Sequence, residues 1–539
     1  MNGKGNSLLL VALAAYAALA LTAAGAVGAV GEVEASWALA KPPTVLIQWE
    51  PPVLSDAGGE AGPFEARQTR PLESFRVGEF SLPLAVNAYT GGAADWPARA
   101  ARALTGSRAA GAATTVLLGG LLLALTHRFL RFHGTPAAAA SVALLLATDW
   151  VFVFFKRVLG GTELLLQTAG LLVLWSLWSR RWKGGRHGSL ALALGVGLGL
   201  GAKITFVATL AAFAGAALLT RWDRPAMRPP ERVQLRWVIG LPLLCLSPLL
   251  ISAAHHTLLP ETPVLLSHDT LTLQTSRLAE GATMGRESLL NLGRFFGNPQ
   301  GWLADGWGTL PVPAFSSLRL LTLAAGLAGA LLEWKDRTRS PSAALLRFLS
   351  LFVPLQLALL FLLNHDLHHL AQATVPLALL VALGAERVAA ELTQARSAMR
   401  TVVALSLVAP ALAAGVEQLR STDALVRTAT SRTFTADGQQ ALAEMIAGAG
   451  VRRLVVTDYE MYGLLEQLAP NVEVVHAWGA VARGERQIEA LRATVGPDHY
   501  LRIRASAPLM YNWRADDVGP RVAELSDGHA NWAELYRVE

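Results

Sequence analysis

Ser189-Leu-Ala-Leu-Ala-Leu-Gly-Val-Gly-Leu-Gly-Leu-Gly-Ala-Lys203-Ile-Thr-Phe-Val-Ala-Thr-Leu-Ala-Ala-Phe-Ala-Gly-Ala-Ala-Leu-Leu-Thr220 is an apolar run of 32 residues whose one charge, Lys203, stands near its middle. As a single helix it would be roughly 48 Å long at 1.5 Å per residue, well beyond the hydrocarbon thickness of a bilayer. Two short helices meeting at Lys203 fit better. Gly195/Gly199 and Gly197/Gly201 are small residues four apart, the spacing that lets helices approach closely. No strand precedes these glycines, so they are not a dinucleotide fingerprint.

Around this run lie further apolar stretches near 7–30, 107–126, 136–155, 160–178, 232–254, 314–333, 343–363, 368–390 and 400–418. Counted with the split run, they predict about eleven transmembrane helices. Basic residues alternate accordingly. Lys4; Arg128 and Arg131; Arg180, Arg181, Lys183 and Arg186; Arg221 to Arg236; Lys335 to Arg347; and Arg396 and Arg400 fall between alternate stretches, whereas the opposite short connections hold only Lys156, Arg157 and Lys203. The basic side is the cytoplasmic one, and the alternation holds only if Ser189–Thr220 crosses twice. The first stretch is longer than a signal-peptide core and reads as a retained helix, although Ala24-Gly-Ala26 resembles a cleavage site.

Composition agrees. Of 539 residues, 53% are hydrophobic and 16% charged, against about a quarter charged in soluble domains. That excludes an ordinary soluble enzyme, a disordered chain and a disulfide scaffold; the lone Cys245 cannot form an intramolecular disulfide. The formal charge of +6 reflects the membrane surface rather than nucleic acid. The expected organisation is a polytopic α-helical unit over 1–420, with extracytoplasmic loops at about 32–106 and 255–313. A small extracytoplasmic α/β domain follows over 421–539. There Gln439–Ala449 and Tyr459–Leu468 read as helices, and Arg453–Thr457, Val472–His476 and His499–Arg504 as strands. Asp458 ends a strand, as a ligand site or as the cap of the next helix.

Ionisable groups at the membrane need a partner or a purpose. Lys203, and Lys156 with Arg157, stand on the outer side, where an ammonium or guanidinium would hold a phosphate, or snorkel to lipid headgroups. His365-Asp366-Leu-His368-His369 occupies a short outer turn and suits hydrogen bonding to a phosphate; a divalent metal stays open. First-loop acids Glu50, Asp56, Glu60, Glu65, Glu73 and Glu79 are candidate general bases or solvated loop charges. Asp149, beside Trp150, could pair with Lys156 or Arg157.

These features resemble the GT-C superfamily of membrane glycosyltransferases, particularly the bacterial glycosyltransferase 39-like (protein mannosyltransferase/aminoarabinose transferase) group. The resemblance covers about residues 7–400. It is carried by Phe80-Ser-Leu-Pro-Leu-Ala-Val-Asn-Ala-Tyr-Thr-Gly-Gly92, Phe154-Phe-Lys-Arg157, Leu198-Gly-Leu-Gly-Ala-Lys203, and His368-His-Leu with Pro376. It implies inverting sugar transfer from a polyprenyl-phosphate donor to a protein, lipid or glycan acceptor at the outer face of the inner membrane. Lys156, Arg157, Lys203, His368 and His369 would hold the donor phosphate, and a first-loop acid would act as base. The family often has an acidic pair soon after the first span; this chain has isolated acids in a Pro/Gly-rich stretch. Asp56 and Glu60 come first by distance from that span, then Glu73. The cofactor stays unknown; the sequence leaves a divalent metal open without requiring it. A secondary transporter or glycan flippase, which also uses broken helices, and a membrane scaffold presenting the C-terminal domain are the alternatives.

Overall fold

The computed structural model describes residues 4–22, 47–50, 73–77, 80–87, 90–105, 108–158, 162–183, 186–220, 237–248, 250, 292–299, 317–336, 340–363, 370–393, 397–428, 436–456, 465, 469, 471–476, 499–503, 519–526 and 531–538. Each of the apolar stretches carries a helix. In chain order they are α1 (Lys4–Thr22), then, after the short α2 (Trp96–Thr105), α3 (Arg108–His133), α4 (Pro136–Thr148) with α5 (Trp150–Val158), α6 (Thr162–Lys183), α7 (Arg186–Ala202) and α8 (Phe206–Leu219). There follow α9 (Trp237–Pro248), α10 (Ser317–Asp336), α11 (Pro341–Leu363), α12 (Thr374–Thr393) and α13 (Ser397–Thr428). Among the described residues, four helices are long and apolar enough to cross a membrane: Ala113–His133, Pro341–Phe361, Ala371–Thr393 and Met399–Thr422. Aliphatic side chains are exposed on them, among them Leu117 (73%) on α3 and Val402 (59%) on α13. Such surface on packed helices fits contact with lipid rather than water.

The predicted split occurs where expected. Lys203 N–H still reaches Gly199 O at 3.0 Å, and the chain then turns through Ile204 and Thr205 before Phe206 N–H bonds to Lys203 O at 3.0 Å. The two halves diverge to different neighbours: α7 packs along α6, α8 along α11. On the α8 side Phe213 stacks on Phe352, ring centroids 4.1 Å apart. The glycines of α7 are tied to this geometry. A Cβ on Gly195 would stand 2.8 Å from Ala169 O of α6, and one on Gly201 would stand 2.7 Å from Cys245 O of α9. One on Gly199 would enter the ring of Phe206, which folds back over the break.

A second break, at Asp149, divides the stretch read as one span over 136–155. Asp149 is extended (φ −68°, ψ 124°) between α4 and α5. Its carboxylate Oδ1 accepts from Phe152 N–H at 2.9 Å, an N-cap that starts the new helix.

Helix α1 enters the core through Ala12, Tyr16 and Ala20, all buried on one face. Helices α10 and α12 cross closely through glycines. Gly326 and Gly329 face Gly384 so tightly that a Cβ on Gly384 would overlap the carbonyl of Gly326. Gly384→Ala is therefore expected to cost about 2–3 kcal/mol, the upper part of the overpacking range, because backbone rather than side chain must move. Thermal unfolding of the detergent-solubilised protein checks this; an unchanged midpoint would contradict it.

Two sheets accompany the helices. The first loop forms an antiparallel sheet in the order β1 (Ile47–Glu50), β2 (Glu73–Val77), β3 (Phe80–Asn87), β4 (Thr90–Gly91). At the other end of the chain, α14 (Ala436–Gly448) accompanies a five-stranded sheet. Its order is β6 (Glu473–His476), β5 (Arg453–Val456), β7 (His499–Ile503), β9 (Asn531–Arg537), β8 (Arg521–Ser526). β5 runs parallel to β6 and β7, and the β7–β9–β8 half is antiparallel. α13 continues past residue 420 to Thr428. The helix read at Tyr459–Leu468 and Asp458 lie largely or wholly outside the described residues.

Candidate functional site

Lys203 is the centre from which the site is built. It is only 4% exposed, held at the turn between α7 and α8. An ammonium so buried has lost most of its hydration and is retained where anionic or polar atoms replace water. The helices that pack on α7 and α8 carry a buried polar network. Gln356 Nε2 of α11 donates to Thr209 Oγ1 of α8 at 3.0 Å, and that hydroxyl donates to Gln372 Oε1 at 3.3 Å. Gln372 belongs to the 3₁₀ turn Ala371–Ala373 that opens into α12. Gln167 of α6 donates from Nε2 to Ala371 O of the same turn at 2.7 Å. Every one of these side chains is buried. Glu163, one turn before Gln167 on α6, is buried too, placing a carboxylate in the first turn of that helix.

The first-loop sheet reaches this region. β4 and the 3₁₀ turn Gly92–Asp95 pack on α7, and the same turn packs on α6. In register, Glu73 stands opposite Ala85, and Ala85 in turn opposite Gly91. Strand spacing is about 4.8 Å, so the backbone of Glu73 lies roughly 10 Å from the strand seated on α7. Glu50 of β1 pairs with Ser74, beside Glu73. The sheet thus carries two acidic positions on adjoining strands, and its far edge, β4, is the strand that packs on α7.

Of the other predicted site residues, Lys156 and Arg157 lie in the last turn of α5. Asp56, Glu60, His368 and His369 lie outside the described residues, as do His365 and Asp366. Among the described residues no group of three or more His, Cys, Asp or Glu is placed to hold a metal.

Asp149 pairs with Arg319 of α10, its Oδ2 meeting Nη2 at 3.1 Å. It sits at the start of α5, two turns before that helix's last residues. Arg319 also donates from Nε to Phe296 O at 3.3 Å and from Nη1 to Gln418 Oε1 at 3.3 Å. Arg319, Gln167, Gln356 and Gln372 were not singled out by sequence reading. The available signal was a polar side chain interrupting an apolar helix, which in lipid-facing bundles marks interhelical hydrogen bonding.

No known protein family matches the chain, and no curated protein matches it in sequence. Solved structures do match its fold. ArnT from Cupriavidus metallidurans bound to undecaprenyl phosphate is similar with a TM-score of 0.51 at 12% identity, covering 93% of this chain and 93% of that one. The Archaeoglobus fulgidus oligosaccharyltransferase tethered to an acceptor peptide containing the NVT sequon is similar with a TM-score of 0.50 at 12% identity, covering 93% of this chain and 69% of that one. At such identities the likeness is one of architecture: the chain has the fold shared by ArnT and this oligosaccharyltransferase.

Proposed function

We propose that the chain is a GT-C-type glycosyltransferase of the glycosyltransferase 39-like group. It would move a sugar from a polyprenyl-phosphate donor to a protein, lipid or glycan acceptor at the outer face of the inner membrane. The observation that carries this reading is the buried Lys203 at a helix break, with the end of the first-loop sheet seated on the same helix. The fold likeness supports the substrate classes, because one neighbour holds undecaprenyl phosphate and the other an acceptor peptide. Residues 1–420 form the catalytic membrane unit in this reading, and 421–539 an extracytoplasmic domain.

The chemistry follows from placement. A prenyl chain already lies in the bilayer, so its phosphate sits at headgroup depth, within reach of cations at outer helix ends. A first-loop carboxylate takes the proton from the acceptor hydroxyl or amine. The acceptor atom attacks the anomeric carbon from the side opposite the phosphate. The carbon–oxygen bond to phosphate then breaks, with inversion, and negative charge gathers on the departing polyprenyl phosphate. Lys203, Lys156, Arg157, His368 and His369 stabilise that charge, which grows toward the transition state. Glu73 gains support as the base from its place in the sheet that meets α7; Asp56 and Glu60 remain the other candidates.

Purified protein in lipid nanodiscs, given polyprenyl-phosphate-linked sugars and a panel of peptide, lipid and glycan acceptors, is expected to release polyprenyl phosphate as the sugar appears on an acceptor. Neutralising the base among Asp56→Asn, Glu60→Gln and Glu73→Gln should slow release about a hundredfold, the low end for general-base catalysis. Wild-type release by all three variants would remove the first-loop base. Absence of release from a broad donor panel would remove the enzymatic reading.

A further inference from the structure

Asp149 and Arg319 have no part in the chemistry above, yet they form the most elaborated polar contact among the described residues near the start of α5. Asp149 terminates α4, and its carbonyl accepts from Val153 N–H at 2.9 Å while its Oδ1 accepts from Phe152 N–H at 2.9 Å. Its remaining oxygen takes Arg319 at 3.1 Å, with the two side chains 19% and 11% exposed. Arg319 in turn clasps the carbonyls of Phe295 and Phe296, in the short helical segment at 292–296. Gln418 of α13 bridges from Arg319 to Asn298 Oδ1 at 3.2 Å. One turn further, Trp150 Nε1 donates to Thr422 Oγ1 at 2.8 Å. A cavity of about 70 Å³ lies alongside, with Asp149, Arg319 and Thr374 in its wall.

We infer that Asp149 and Arg319 are positioning residues for the donor phosphate: together they set the direction of α5 and so the location of Lys156 and Arg157 at its end. The inference deepens the proposed function and depends on its assignment of those two cations. The lever is short but sensitive. Residue 156 lies roughly 10 Å along the helix from Asp149 at 1.5 Å per residue, so a tilt of about 10° at the cap displaces it by roughly 2 Å. Misplacement of this size costs binding and rate far from where it begins. An N-cap alone would start α5 without fixing its tilt. The second carboxylate oxygen, tied to a guanidinium that is itself held by three other groups, supplies that constraint.

The test uses the full-length protein in nanodiscs and measures affinity for undecaprenyl phosphate, with undecaprenol as the uncharged control. Asp149→Asn keeps the capping oxygen but drops the charge, and should weaken undecaprenyl phosphate binding about tenfold while leaving undecaprenol unchanged. Because removing one member of a buried pair is itself destabilising, the double variant Asp149→Asn with Arg319→Met is measured beside it; with no orphaned charge it should stay folded. Tenfold weaker phosphate-dependent binding in a double variant whose unfolding midpoint matches wild type supports the inference. Wild-type affinity in that variant overturns it, provided Lys156→Gln with Arg157→Gln weakens binding. If this second pair binds like wild type, the donor assignment itself fails and the inference falls with it. Equal loss of undecaprenyl phosphate and undecaprenol binding would show a general packing role and also overturn it.

Discussion

Lys203→Met is expected to slow sugar transfer about a thousandfold, the upper end of what removal of one electrostatic stabiliser of a developing charge has cost in enzymes. Three features argue for that end of the range. Lys203 is 4% exposed as a residue, so water offers little compensation when its charge is lost. It stands at a break held on both sides, by Phe206 folded over Gly199 and by the divergence of α7 and α8, which fixes the position of its backbone. The leaving group carries its charge in the transition state, where the interaction is strongest. Methionine keeps the apolar stem of lysine, which limits the packing cost. The result that would defeat this reading is a lowered unfolding midpoint with normal turnover per folded molecule, for Lys203 would then be a structural staple.

How much of this was legible beforehand differs by element and for physical reasons. The break at Lys203 could be read because a long glycine-rich run cannot be one span and its lone charge marks where the chain must turn. The break at Asp149 could not, because Leu144 to Phe155 is apolar apart from Thr148 and Asp149, and nothing in the run is too long for a bilayer. Here the carboxylate ends one helix and starts the next, and only the position of Arg319 on α10 explains why it is not simply capping. The C-terminal strands at 453, 473 and 499 start where alternation and β-branched residues placed them or one residue away. The first-loop sheet was missed in part because β1 lies 22 residues before β2, across Pro/Gly-rich sequence; β2 and β3, only Gly78 and Glu79 apart, have a hairpin spacing that was there to be read. That sheet holds both Glu50 and Glu73, while Asp56 and Glu60 lie outside the described residues. Arg387 and Arg347 illustrate a subtler gap. Arg347 counted toward the basic side, but its partner, Glu333, is buried in an ion network joining three helices that charge counting does not see.

That network gives the largest expected stability effect. Glu333 of α10 is 1% exposed and meets Arg347 of α11 through Oε1 and Arg387 of α12 through Oε2, the latter at 3.5 Å. Arg387 also reaches Asp336 and, at 3.0 Å, Glu391. Glu333→Ala leaves two guanidiniums facing a cavity, and breaking a buried pair from one side costs about 3–5 kcal/mol. Removing both members of one pair should cost far less. Glu333→Leu combined with Arg347→Leu leaves Arg387 its contacts with Asp336 and Glu391, so most of the lost stability should return. Glu333 lies near the last turn of α10, whereas Arg319 lies near the first, so catalysis per folded molecule should hardly change in either variant. Unfolding midpoints in detergent, read beside turnover normalised to folded protein, separate the two ends of the bundle. If Glu333→Ala alone left the midpoint where wild type has it, the ion network would be peripheral, and the packing of α10, α11 and α12 would owe its strength to the glycine contacts around Gly384 instead.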